Sequence, residues 1–262
     1  MKRSLRTATV ATSALALALT LPLAGCGGDS SSGGSGTKKE AVAKEGPTGT
    51  AALEAAKKNL KELKSVTFSG TVKEDGSDMK IDGKGSVKKG EDYELTVDGT
   101  IKGVKQSLNI LSVGGTVYMK GSEDFYKQNL GDSSGKMAAA IGDKYLQVPS
   151  EQASSMSDMS LAGLMDSAFD PDDMDADDLA NPSAKGKLVN FEGTQAYQYK
   201  AKDDDAGNFY LTADGSKQFA GLKSNEEGTI VFKDHNKKFD IKAPAKDKVM
   251  SMEDLQKAAV GG

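Results

Sequence analysis

The chain has 262 residues, with 34 Lys and Arg against 38 Asp and Glu, a formal net charge of −4, one cysteine and one histidine. A net acidic surface excludes an electrostatic nucleic-acid binder. A single cysteine and a single histidine exclude disulfide stapling and thiolate or multi-histidine metal sites, and make any Ser-His-Asp or Cys-His catalysis depend on His235.

Lys2, Arg3 and Arg6 open the chain, and Thr7–Leu23 follows without a charge. A basic start, an apolar run shorter than the ~20 residues of a membrane span and small residues at its end read as a secretory signal, residues 1–25. Leu23-Ala24-Gly25-Cys26 resembles the bacterial lipobox, which makes Cys26 the lipidated first residue of the exported protein. Removing the signal takes away three basic residues and no acidic one, so the charge goes from −4 to −7. Acyl chains on Cys26, at ~0.8 kcal/mol per buried CH2, would hold the protein to the outer leaflet of the cytoplasmic membrane.

Residues 26–49 are Ser, Gly, Thr, Lys and Glu with few large apolar side chains, and read as a disordered tether. Residues 50–260 then form one domain. Its first element is a helix in "TAALEAAKKNLKELKS", with Leu53, Ala56, Leu60 and Leu63 at helical spacing and Thr50 as its cap. From Val66 the apolar period becomes two. It recurs at Tyr93, Leu95 and Val97, at Leu108 and Ile110, at Val117 and Met119, at Tyr197 and Tyr199, at Phe209 and Leu211, at Ile230 and Phe232, and at Phe239 and Ile241. Asp75-Gly76, Asp82-Gly83, Lys89-Gly90, Asp98-Gly99, Gly114-Gly115 and Asp214-Gly215 read as the tight turns between these strands. The pattern predicts an antiparallel meander of roughly ten strands, a size at which sheets tend to curl.

Between about Gly131 and Lys185 the pattern breaks. Lys136–Ile141 reads as a short helix, Lys144–Val148 as a strand, and Met156, Leu161, Leu164, Met165 and Ala168 as an apolar helical stripe that Pro171 ends before a further helix begins. These helices are expected to cover one face of the sheet, as a lid on a cup. Seven aspartates lie between Asp166 and Asp178, and Asp173, Asp175 and Asp177 have the spacing of a calcium loop. Asp178 and Ala184 stand where such a loop needs glycine and glutamate, so a solvated acidic face is the simpler reading. Met156, Met159, Met165 and Met174 suit either core filling or an adaptable pocket. His235, in the polar string Lys233–Lys237, reads as a solvated turn residue.

With these elements in order, the lipobox, "LKSVTFSGTV", "TVYMK", "KYLQVP", "FDPDDMDADDL" and the closing "IKAPAKDKVMSMEDLQKA" resemble the LppX/LprG lipoproteins of actinobacteria, whose fold is like that of the LolA and LolB carriers. The resemblance implies an α+β fold: a strongly curved antiparallel half-barrel whose N-terminal and inserted helices cover its concave face and enclose an apolar cavity. It implies a non-enzymatic protein that binds and carries an acyl lipid or glycolipid, needs no cofactor, and works with a membrane transporter as a further partner. Leu161, Leu164, Met165 and Phe169 are the residues expected to meet the acyl chain. The alternative is an envelope lipoprotein that binds a protein partner and has a filled core. An exported hydrolase is the weakest reading, because no nucleophile and base stand in a recognisable pattern.

Overall fold

The computed structural model describes residues 42–260, except 75–76, 102, 130–134, 150–152, 154–159, 170, 173, 203–206 and 225–227. Strand β1 (Glu45–Thr48) leads into helix α1 (Gly49–Lys61). β2 (Ser65–Glu74), β3 (Ser77–Ser86), β4 (Tyr93–Ile101), β5 (Val104–Val113) and β6 (Thr116–Gly121) follow, then α2 (Glu123–Asn129), α3 (Lys136–Ile141) and β7 (Tyr145–Val148). Next come α4 (Leu161–Ala168), β8 (Lys185–Phe191), β9 (Thr194–Lys200), β10 (Asn208–Thr212), β11 (Phe219–Ser224), β12 (Gly228–Lys233), β13 (Val249–Ser251) and α5 (Met252–Val260). Among the described residues no helix is long and apolar enough to cross a membrane.

The thirteen strands form one sheet in the order β1-β8-β9-β10-β11-β12-β2-β3-β4-β5-β6-β7-β13. Two meanders, β2–β7 and β8–β12, are fused where β12 pairs with β2, with Phe232 opposite Phe68. Every pair is antiparallel except β7 with β13. The expected strongly curved antiparallel half-barrel of roughly ten strands is therefore corrected: the sheet is mixed and larger, and is neither closed nor strongly curled. Its edges, β1 and β13, do not pair. Sheets are bent into barrels by bulges and kinks. Among the described residues the ladder from β11 to β7 keeps its register throughout, with irregularities only at β1 and between β10 and β11.

Alternation makes one face dry. Val66, Phe68, Leu95, Leu108, Ile110, Met119, Leu146, Phe209, Leu211, Phe219 and Phe232 are buried in one core with Ala52, Leu53 and Ala56 of α1. On the opposite face, towards β7, Asn109 donates to Thr96 at 2.8 Å and accepts from the Tyr145 hydroxyl at 3.0 Å. Towards β8 this face carries a small second cluster of Phe191, Ala196, Tyr210, Ala220 and Val231, with the rings of Phe191 and Tyr210 stacked at 3.9 Å.

Several local expectations change. Thr48, not Thr50, caps α1, its hydroxyl accepting from the Ala51 amide at 3.4 Å. Because Glu45–Thr48 pairs with β8, the end of the stretch read as tether belongs to the sheet. Asp82-Gly83 and Asp98-Gly99 lie inside β3 and β4 rather than in turns. Gly83 is there for packing: it sits opposite Phe68, and a Cβ on it would overlap that ring. Phe239–Ile241 joins no ladder, and a 3-10 turn at Ala176–Asp178 stands where a second inserted helix was expected.

Candidate functional site

The strand order dictates the site. β7 lies near one edge of the sheet and β8 near the other, so residues 149–184 must cross the strands between them. Part of this connection is apolar enough to do so on the dry face. It carries α4, which packs on β3 and β4.

Ser160 starts α4 in extended conformation and its hydroxyl accepts from the Gly163 amide at 3.0 Å. Leu161 and Met165, one turn apart, are buried, and Leu164 is half-buried against the same core. Asp166 faces out and meets Lys89 of the β3–β4 turn at 3.6 Å, an exposed pair of little energetic value. Phe169 ends the helix, its amide donating to the Met165 carbonyl. Its ring lies edge-on to Phe232 at 4.9 Å and tilted to Phe219 at 5.8 Å. All four residues singled out in the sequence thus reach one core, where Met174 and Leu179, later in the same connection, are also buried.

Several aspartates of this connection have partners. Asp172 accepts from Lys61 at 2.6 Å, and that ammonium holds its carboxyl below the usual range. Asp175 and Asp178 cap the 3-10 turn reciprocally. Asp170 and Asp173 lie outside the described residues, as do Met156, Met159 and Cys26. Among the described residues no three carboxylate, histidine or cysteine groups converge as metal ligands would.

His235 departs from the solvated reading. It is half-buried in a turn after β12, flanked by positive φ at Asp234 and Asn236, and its Nε2 is 2.7 Å from the Phe219 carbonyl. Burial lowers the pKa of the imidazole. A nitrogen facing a backbone carbonyl donates to it, so this atom serves as a structural tie.

An open cleft of about 410 Å³ lies at the opposite end of the sheet, between the 179–184 segment and β8–β10. Leu179, Asn181, Lys185, Lys187, Gln198 and Lys200 help to line it, and it includes none of the α4 residues. Lys185 there is paired with Glu45 at 2.9 Å.

No protein-family model matches the sequence, and no curated protein matches it. Among solved structures, the chain is similar to LprF from Mycobacterium bovis, with a TM-score of 0.46 and 12% sequence identity over 75% of this chain and 97% of that one.

Proposed function

We propose that this protein is a non-enzymatic lipoprotein, anchored through Cys26 outside the cytoplasmic membrane, that binds and carries an acyl lipid or glycolipid. The observation that carries the reading is the crossing connection, which lays the short apolar helix α4 on the dry face of a one-sided sheet. An acyl chain would reach this face by displacing α4, an opening short of global unfolding. It could then replace protein contacts with its own, each CH2 removed from water contributing ~0.8 kcal/mol without specific polar contacts. The leader and lipobox supply the anchor, and a transporter in the same membrane would be the natural source or destination of the cargo.

A protein-binding role without lipid is favoured by a different observation: Phe169 already fills space against Phe219 and Phe232. Native mass spectrometry of the full chain expressed in an actinobacterium separates the two. Lipid adducts that disappear on organic extraction are expected of a carrier. Their absence, in preparations where the chain is folded, would overturn the lipid reading and leave the protein-binding one.

A further inference from the structure

Among the described residues, the dry face of the sheet holds two buried hydroxyls without a hydrogen-bond partner. Ser112 is 2% exposed and Tyr93 6%, and neither side chain makes a hydrogen bond among the described residues. The other well-buried tyrosines are satisfied. Tyr126 accepts from the Gly121 amide at 2.8 Å, Tyr210 accepts from Gln198 at 3.4 Å, and Tyr197 and Tyr199 donate to the carbonyls of Ala43 and Pro47, both at 3.1 Å. Among buried polar residues, Gln106 donates to Gln128, Ser160 caps α4, and Thr212 bonds Ser216. Folded proteins pair the large majority of buried side-chain polar groups, so an orphan calls for an explanation.

The two orphans are not scattered. Tyr93 and Ser112 are direct partners across the β4–β5 ladder, so their side chains leave the same rung on the same face. That face is the dry one: Leu95, two residues after Tyr93, and Ile110, two before Ser112, are core residues. α4 packs on β3 and β4, and its Asp166 reaches back to Lys89 in the turn that leads into Tyr93. Burial raises the phenol pKa of Tyr93, with no hydrogen bond contributing, so the group stays protonated and able to donate.

We propose that Tyr93 and Ser112 donate hydrogen bonds to the ester groups of a neutral acyl lipid held between the sheet and α4. The class of ligand follows from what surrounds the hydroxyls. No buried residue of the described chain carries a charge, so an ionised headgroup would be left uncompensated there, whereas an ester carbonyl needs only a donor. The inference rests on the lipid-carrying reading and adds to it a recognition element: the acyl chains would bind by burial, and these hydroxyls would distinguish an ester from a plain hydrocarbon.

The test uses the full chain, dipalmitoylglycerol as the ester and hexadecane as the hydrocarbon, with Tyr93→Phe and Ser112→Ala, each of which removes a hydroxyl and little else. One neutral hydrogen bond corresponds to an affinity loss of about 2- to 10-fold. Each variant should lose that for dipalmitoylglycerol, keep its affinity for hexadecane, and unfold at the same denaturant concentration or a higher one. Unchanged ester affinity in both variants would overturn the inference while leaving the lipid reading intact. Equal losses for ester and hydrocarbon would overturn it too, since they report packing. If the unsubstituted protein binds neither compound, the lipid reading itself fails, before any variant is compared.

Discussion

Shortening Leu161 to alanine tests whether α4 is seated as the structure places it. The side chain has no exposed surface, and the change removes three carbons. At ~0.8 kcal/mol per buried CH2 the transfer loss is about 2.4 kcal/mol. A cavity that the neighbours fill only partly raises the expected loss to about 3–5 kcal/mol. Leu164 is half-buried, so Leu164→Ala should cost about half of the transfer term, near 1 kcal/mol. Urea unfolding of the full chain gives both values, provided the m-value is unchanged. Lipid occupancy, measured by mass spectrometry on the same preparations, adds the functional arm. A loss below about 1 kcal/mol for Leu161→Ala, or a larger loss for Leu164→Ala, would refute the placement of the helix face. A full stability loss with unchanged lipid would remove α4 from the proposed contact set.

His235 sets a pH dependence. Burial holds its folded pKa below the ordinary 6.5, so the unfolded chain binds more protons below that pH. Stability from this group is complete above 6.5 and falls as the pH drops through 6.5 towards the folded value; His235→Gln should flatten the change in urea midpoint between pH 7.5 and 5.5, and an unaltered slope would refute it. Gly83→Ala forces a methyl into the Phe68 ring and should cost about 1–3 kcal/mol, partly recovered when combined with Phe68→Leu. Strict additivity of the two changes would show that the ring is not what the glycine accommodates. Cys26→Ala should move the protein from the detergent phase to an unlipidated form, and continued membrane partitioning of a processed chain would refute the anchor.

Much of the secondary structure is legible in the residues themselves. Period-two alternation marks the strands because the sheet has one dry face, and the stripe of Leu53, Ala56 and Leu60 marks α1 because helix α1 has one too. Glycine pairs mark turns where the backbone needs positive φ, as at Gly90, Gly114, Gly115 and Gly215. The same dipeptide signal fails at Gly83, where the demand comes from a ring on the neighbouring strand. The expectation of a leader and of a lipid anchor at Cys26 rests on local chemistry alone, and the apolar spacing of Leu161, Leu164 and Met165 and the acidic run beside them are likewise local.

Only the tertiary structure decides the rest, because strand partners far apart in the chain are chosen by surfaces that no single segment contains. Alternation says which residues of a strand are dry but not which strand lies beside it, so the pairing of β12 with β2, and the crossing of residues 149–184 that follows from it, are invisible in the sequence. Curvature depends on how register and bulges accumulate along the ladder, which is why a meander that suggests a half-barrel instead forms a sheet that does not strongly curl. Tyr93 and Ser112 are an ordinary aromatic and an ordinary serine until the fold sets them side by side, buried and without a hydrogen-bond partner among the described residues. A missing hydrogen bond is a property of everything around a group, and the chain on its own does not contain that information.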